Sequence, residues 1–302
     1  MIRVYRFSSA ERALRTNADC AGFLYEIRWP RGFVCPRCGV MAKPYRFARR
    51  PLVLRCIQCG GDTSLTAGTF MHGSRVPLLV WFGAIWHLIG EELHGATPVS
   101  ALRFHASSRL RRYQTTTTMF NKIRAGMARL ERAPIGGDMV VEVGTLRNDG
   151  ETTDRRTNNR PMLIGAVETD ARFPRRGDSF RRERLRLGVV HEYGGSAITR
   201  FMRDRIQRGT TVTTGESEVR RWLGREGYRI RASSSPSSAR LLGILTDCDD
   251  WIRGTHHGVS ARRLQGYLDE FSFRYNHRWE GIDRVLPSML LTDESADLPA
   301  LV

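Results

Sequence analysis

The sequence has almost no lysine, and it has few acidic residues for a chain of 302 residues. Of its 48 basic residues only Lys43 and Lys122 are lysine, and the rest are arginine. Codons rich in G and C would favour arginine over lysine, but they do not explain why 48 bases stand against 31 acids, a net charge of +17. Such an excess argues against a typical metabolic enzyme and indicates a polyanionic partner, whose phosphates the planar guanidinium binds well.

Long hydrophobic runs are also missing. The longest apolar stretch, residues 76–89, is too short to span a bilayer and contains His87. The first residues lack the apolar core of a signal peptide. We therefore expect a soluble, cytoplasmic protein that has no membrane partner.

Cysteines are too few for a disulfide framework, but four of the six are arranged as a metal site. They form two CxxC pairs separated by seventeen residues: Cys35, Cys38, Cys56 and Cys59. Each pair places two thiolates on one cation, and two pairs complete a tetrahedral zinc site without an open position for catalysis. The alternative, four unrelated buried cysteines, is weaker because the spacing is that of a zinc ribbon. The sequence therefore predicts structural Zn²⁺.

The sequence predicts a multidomain α+β protein. Residues 1–65 hold the cysteine pairs, and residues 66–132 contain three helix-sized amphipathic segments. Residues 133–285 change to the period of strands, and residues 286–302 form a C-terminal tail. This gives a zinc ribbon, a helical module and a third, mixed domain.

The helical module has the outline of a helix-turn-helix. Residues 115–130 read as its second helix, and polar residues such as Lys122 and Arg124 lie where such a helix contacts DNA. An ordinary helical hairpin that joins two domains would give the same pattern. Both interpretations stay open at this point.

The third domain reads as strands at 139–143, 161–167 and 185–190, a helix at 196–208, a strand at 210–213 and C-terminal helices. This order is compatible with a ribonuclease H-like core. The serine run at 233–238 reads as a surface loop. Arginines in the connection between the second and third strands are candidate DNA contacts: Arg175, Arg176, Arg181 and Arg182.

Paired histidines near the C-terminus invite a metal hypothesis. His256 and His257 are adjacent, however, and adjacent side chains rarely converge on one ion, so we favour a structural or phosphate-contacting loop that includes Arg253. Arg274, in the predicted helix at 259–279, is a further candidate DNA contact.

Several motifs together resemble the ISXO-like insertion-sequence transposases. They are IRWPRGFVCPRCG at 27–39, TFMHG at 69–73, VEV at 141–143, GAVE at 165–168, GTHHGVS at 254–260 and YLDEF at 267–271. Their order is collinear over roughly residues 10–280. The resemblance implies a zinc ribbon, a helix-turn-helix and a ribonuclease H-like domain that acts on double-stranded DNA at the ends of a mobile element.

The resemblance also implies catalytic carboxylates that hold two Mg²⁺ ions, and here the sequence departs from the family. Gly144 stands where the family has its first aspartate, and Thr214 stands where it has its second. At the third site, where the family shows an asparagine and a lysine, the chain has Asp247 and Asp249. Glycine has no ligand atom and threonine only a neutral hydroxyl, so we expect Mg²⁺ only if catalysis is retained by other residues.

Displaced carboxylates are the alternative. Glu142 lies two residues before Gly144 on the same face of a strand, and Glu216 lies two residues after Thr214, so both could join Asp247. Because metal sites tolerate little displacement, we favour a transposase-like DNA-binding protein whose strand-transfer chemistry is lost. An active DDE-type enzyme with displaced carboxylates, and a regulator or inhibitor subunit derived from a transposase, are the rival hypotheses. In each case we expect a homo-oligomer on DNA in a prokaryotic nucleoid.

Overall fold

A computed structural model describes residues 5–6, 13–89, 100–146, 161–169, 183–232, 236–256, 259–278, 280 and 282–291. The chain divides into two compact units. The first, here called the ribbon unit, comprises Met1–Gly126 and Glu280–Val302, and the second, the sheet unit, comprises Met127–Trp279. Within the described ranges, no helix combines the length and the apolar character needed to cross a membrane.

The ribbon unit begins with small elements around the cysteines. Strands β1 (Tyr5–Arg6) and β2 (Ala13–Leu14) pair antiparallel, and α1 (Asn17–Arg28) follows. Strands β3 (Tyr45–Phe47), β4 (Arg50–Arg55) and β5 (Asp62–Ser64) form an antiparallel sheet in that order. Helix α1 was not predicted from the sequence.

A capping box starts helix α1. The hydroxyl of Thr16 accepts a hydrogen bond from the Asp19 backbone N–H at 3.1 Å, and the Asp19 carboxylate accepts one from the Thr16 N–H at 2.8 Å. Two backbone donors that the helix itself leaves unpaired are thereby satisfied. The T-x-x-D pattern was the sequence signal for this helix.

Four helices complete the ribbon unit or lead out of it: α2 (Leu78–Ile89), α3 (Ala101–Ser108), α4 (Tyr113–Leu130) and α9 (Ile282–Leu290). The predicted second helix of the module thus begins two residues earlier than expected. The rings of His87, Phe104 and Phe120 contact one another and join α2, α3 and α4. Helix α9 extends to Leu290, so the first residues of the expected tail are helical.

The sheet unit is built on five strands: β6 (Asp138–Thr145), β7 (Met162–Thr169), β8 (Leu185–Val190), β9 (Thr211–Thr214) and β10 (Arg229–Ala232). Their order in the sheet is β10-β9-β6-β7-β8. Strand β7 runs antiparallel to its neighbours, whereas β6, β9 and β10 are parallel. Helices α5 (Gly195–Arg205), α6 (Ser217–Arg225), α7 (Pro236–His256) and α8 (Ala261–His277) complete the unit.

Helices cover both faces of this sheet. Met139 and Val141 of β6 face the layer of α5 and α6, while Val140 faces the layer of α7 and α8. This alternation follows from the period of two in a strand, and the helices on both faces explain why β6 and β7 are apolar almost throughout. The expected mixed α+β fold with a ribonuclease H-like strand order is confirmed.

The largest departure from the sequence analysis is α7. The predicted loop at 233–238 overlaps its first turn, and the predicted loop around Arg253 and His256 is its last turn. Leu241, Leu245 and Cys248 recur at helical spacing on its buried face, but a serine-rich start concealed this pattern. Strand β10 was also missed, because its residues are mostly exposed.

A buried polar network links Glu131, which directly follows α4, to β8 and α8 inside the sheet unit. Arg186 of β8, which is 3% exposed, donates to the carboxylate of Glu131. The same carboxylate accepts from Asn276 Nδ2 at 2.9 Å and lies 2.9 Å from His277 Nε2. Asn276 also accepts the backbone N–H of Leu185 at 2.6 Å, so one side chain links the helix to the strand.

Glu131 is held in its charged form by this network. Burial acts to raise the pKa of its carboxyl, but the hydrogen bond from His277 and the charge of Arg186 outweigh burial and bring the pKa below the ordinary value of 4.5. A lowered pKa in the folded state stabilises the fold at neutral pH. That contribution is lost as the pH falls from about 4.5 through the folded-state pKa.

We expect Arg186→Ala to lower the free energy of unfolding by roughly 3–5 kcal/mol, because it leaves the Glu131 carboxylate buried without its guanidinium. Arg203→Ala is the matched control, since Arg203 forms an exposed pair with Glu226 and its loss should cost less than about 1 kcal/mol. Chemical denaturation measures both. Equal, small losses would contradict the role given to the network.

Candidate functional site

The four cysteines of the ribbon converge on one point. Their sulfur atoms all lie within 4.8 Å of one another. Cys35 Sγ and Cys59 Sγ are 3.7 Å apart, and so are Cys38 Sγ and Cys56 Sγ. A tetrahedron of sulfurs with Zn–S bonds of about 2.3 Å has edges of about 3.8 Å, so the cluster fits Zn²⁺.

The two CxxC turns repeat one backbone pattern. In the first, the Gly39 N–H donates to the Cys35 carbonyl at 2.8 Å, and in the second, the Gly60 N–H donates to the Cys56 carbonyl at 3.0 Å. Gly39 and Gly60 have φ values of 72° and 67°, which glycine adopts without steric cost. The glycine after each pair therefore turns the chain so that both sulfurs face the same point.

The chemistry of the donors also suits a structural zinc ion. The backbone N–H of Cys38 stabilises the Cys35 thiolate and lowers the pKa of Cys35 to about 6. Cys20, by contrast, is fully buried in α1 and its sulfur does not belong to the cluster of four, so it is not a ligand. When the ion binds, four thiolates fill its coordination shell. The predicted ligand set and the structural role of Zn²⁺ are thus confirmed.

The second region of interest is the carboxyl end of β6 in the sheet unit. Gly144 lies there opposite Leu163 of β7. A Cβ at position 144 would lie 3.1 Å from Leu245 Cδ1 of α7, which is closer than most such contacts in proteins. Gly165 of β7 lies on the same face, and a Cβ there would be 3.0 Å from both Leu241 Cδ1 and Leu245 Cδ2. Two glycines therefore let α7 approach the sheet closely.

Thr214 ends β9 and is fully buried. Its hydroxyl accepts the backbone N–H of Glu216 at 3.3 Å. The guanidinium of Arg220 donates to the carbonyls of Thr214 at 3.3 Å and Gly215 at 3.1 Å. A cation thus lies beside the position where the resemblance places a second acid, and the sequence analysis missed Arg220.

Glu142 and Glu216, two of the three proposed displaced carboxylates, lie around the end of β9. Glu142 is 4% exposed, and its Oε1 accepts the Gly215 N–H at 3.1 Å. Glu216 is exposed, precedes α6 and accepts a hydrogen bond from Tyr193 at 3.4 Å. Asp247 lies on the exposed side of α7, next to the buried Cys248. Throughout the ranges that the structure describes, only the cysteine cluster brings three or more potential ligands together.

The predicted DNA-contacting residues have different environments. Lys122 is partly exposed, whereas Arg124 is 4% exposed, lies against the Phe120 ring and donates to Asn121. Arg274 pairs with the buried Glu270 at 2.8 Å, and only 10% of its side chain is exposed. Contacts of Arg124 or Arg274 with DNA stay predictions, and each would require the side chain to leave this packing.

The predicted loop around Arg253 and His256 is the last turn of α7, and it packs against aromatic rings. The His256 ring lies against the rings of Trp251 and Tyr267, with centroids 4.9 and 4.5 Å away, and Arg253 is partly exposed. The remaining candidates lie outside the described residues: Arg175, Arg176, Arg181, Arg182 and His257.

Comparison with known proteins agrees with this geometry. A tetrathiolate ribbon followed by a mixed sheet covered on both faces defines a zinc-ribbon protein with a ribonuclease H-like domain. Residues 125–276 match the ISXO2-like transposase domain, and residues 15–62 match the transposase zinc-ribbon domain. The chain belongs to the ISXO2-like transposase family. Comparisons with curated proteins and with solved structures found no match.

We expect one zinc ion per chain, and we expect Cys59→Ser to release it and unfold the ribbon, because binding energy at a structural zinc site is folding energy. Cys20→Ala is the control, since Cys20 is buried in α1 of the same unit but is not a ligand. Elemental analysis and limited proteolysis measure both effects. A zinc content of zero in protein purified without chelator would contradict the assignment.

Proposed function

We propose that this chain is a DNA-binding member of the transposase family whose metal-dependent strand-transfer chemistry is lost or severely weakened. The contact of Leu245 with Gly144 is the observation that carries the proposal. It places the Leu245 Cδ1 methyl group, which cannot ligate Mg²⁺, 3.1 Å from where a Cβ at the expected carboxylate position would lie. The residues at the end of β6 and β9 do not fit a magnesium pair, so we derive no catalytic step through one.

The helical module supports binding to duplex DNA. Helix α4 follows a short connection in which Arg109, Arg111 and Arg112 are exposed. Gln114 and Asn121 are exposed further along the same helix. Guanidinium groups position a helix against phosphates, and amide side chains read base edges, so this end of α4 has both kinds of group that a recognition helix uses.

Ribbon and module, with proposed bounds 1–65 and 66–132, can bind DNA without the catalytic pocket. The net charge of +17 supplies the attraction, because binding to duplex releases condensed counterions in proportion to the phosphates neutralised. We propose that the protein acts at the ends of an insertion element as a binding protein.

A second candidate, an active enzyme with displaced carboxylates, is favoured by one observation. Glu142 is a buried carboxylate only two residues from Gly144. Plasmid nicking in Mg²⁺ or Mn²⁺, abolished by Glu142→Gln, would establish this candidate and exclude the first. Folding of the variant must be checked, since Glu142 also accepts the Gly215 N–H.

We expect duplex affinity to fall steeply with salt, and Arg111→Ala to reduce the slope of log K against log salt by about one unit, because one phosphate contact is removed. Arg203→Ala is the control, since Arg203 is paired with Glu226. Fluorescence anisotropy with a labelled duplex measures the slope. Negligible duplex binding at low salt would refute the proposal.

The close contact between Leu245 and Gly144 gives another prediction. We expect Gly144→Asp to lower the free energy of unfolding by about 1–3 kcal/mol, because a side chain at this partly exposed position would crowd the Leu245 side chain. Placing aspartate at both 144 and 214 should restore nicking in Mn²⁺ only when Leu245→Ala makes room. Thermal unfolding and plasmid nicking test the two steps. Full nicking by the double variant with Leu245 intact would show that α7 does not obstruct the pocket.

A further inference from the structure

One face of the ribbon sheet is aromatic, basic and exposed. Tyr45 of β3 lies opposite Arg55 of β4, and Phe47 lies opposite Arg50. The register shifts between Arg46 and Phe47, and the guanidinium groups of Arg50 and Arg55 both lie over the Phe47 ring. These four side chains therefore form one surface, here called the aromatic face. Tyr45 is 58% exposed.

The rings and guanidinium groups of the aromatic face are stacked before any ligand binds. The Arg50 guanidinium lies 4.1 Å from the centroid of the Phe47 ring, and that of Arg55 lies 4.9 Å from it. Tyr45 and Phe47 meet edge to face with centroids 5.0 Å apart. Phe47 therefore supports the two arginines, while the Tyr45 ring remains mostly open to solvent.

The opposite side of the same sheet serves the fold. Leu54 is 1% exposed, and Arg46 across from it stacks on the Tyr25 ring of α1 at 4.5 Å. Packing against α1 thus accounts for the inner side of the hairpin. Nothing in the packing of the described ribbon residues requires an exposed tyrosine on the outer side.

The hairpin formed by β3 and β4 is positively charged, which favours a polyanion as its partner. Residues 43–55 contain five basic residues and no acid, and all five are exposed: Lys43, Arg46, Arg49, Arg50 and Arg55. Asp62 of β5 pairs with Arg55 at 2.6 Å and with Arg50 at 3.5 Å, which orients both guanidinium groups but leaves the hairpin strongly positive. About half of each arginine side chain remains accessible.

An exposed ring beside stacked guanidinium groups suits unpaired bases. In a duplex the base faces are covered by their neighbours, and only edges and phosphates are accessible, whereas an unpaired strand offers both a phosphate backbone and flat base faces. We propose that the aromatic face binds single-stranded DNA, with a base stacked on Tyr45 and the adjacent phosphates held by Arg50 and Arg55. The choice of DNA rests on the proposed function, whereas the stacking surface does not.

The test uses the full-length, zinc-loaded protein with labelled oligo-dT of twelve nucleotides and a duplex of similar charge. Tyr45→Ala should weaken oligo-dT binding about tenfold, because one stacked base is lost, and it should leave the zinc content unchanged. Tyr45→Phe should restore affinity, since it keeps the ring. Tyr193→Ala is the matched control, an exposed tyrosine of the sheet unit that lies outside the ribbon and the helical module, and should leave oligo-dT binding unchanged.

Other results would overturn either the proposed single-strand binding or the proposed function. Oligo-dT binding by Tyr45→Ala within twofold of the unaltered protein, or tighter binding of oligo-rU than of oligo-dT, would overturn the proposal. Equal competition by a polyglutamate peptide would also overturn it, since charge alone would then explain binding. Loss of duplex binding with retention of a Tyr45-dependent oligo-dT complex would refute the proposed function and leave the stacking surface standing.

Discussion

The close approach of α7 to the central sheet is the constraint on which the sheet unit depends. Gly144 and Gly165 lie on one face of β6 and β7, and the side chains of Leu241 and Leu245 approach to 3.0–3.1 Å of where Cβ atoms at these positions would lie. Because protein interiors are close-packed, a helix that lies this near decides what else fits at the end of β6. Leucine methyl groups there supply hydrophobic contact, whereas a metal site would need anionic oxygens and room for water.

The ribbon is held by a different kind of constraint. Its strands are three to six residues long and largely exposed, so their apolar burial is small. Four sulfurs arranged at tetrahedral spacing add to the small core around Phe33 and Leu54, because a single ion bonded to all four fixes both turns at once. The outer side of the β3–β4 hairpin does not pack against α1, and its aromatic rings and arginines lie on that side.

Many acids in the described ranges are used internally, in pairs with arginine. Glu131 pairs with Arg186, Glu183 with Arg240, and Glu168 with Arg184. Since arginines outnumber their possible partners, the excess remains on the surface as positive charge. The buried Glu131–Arg186 pair fixes local geometry, the other two pairs are largely exposed, and a surplus of positive charge attracts polyanions. Arginine therefore has two roles in this chain: it pairs with acids within the fold, and its surplus gives the surface a positive charge.

The sequence by itself determined the zinc ligands and the family. It also determined the positions along the chain of the first four strands of the sheet unit. Short-range patterns carry these features: CxxC spacing places sulfurs through one local turn, and alternation or apolar runs mark strands that are covered on one or both faces. The sequence also shows Gly144 and Thr214 at the two positions where the resemblance implies aspartates. Helix α1 could also have been found from its capping box, a purely local signal.

Only the tertiary structure decided which side chains meet. Arg124 and Arg274, which resemble surface contacts in the sequence, pack against aromatic rings, and His256 belongs to a helix rather than a loop. Leu245 is separated from Gly144 by a hundred residues, and Arg220 reaches the carbonyl of Thr214 across the start of a helix. Side-chain burial depends on long-range packing, and no local pattern encodes the partner that a distant element brings to the same point.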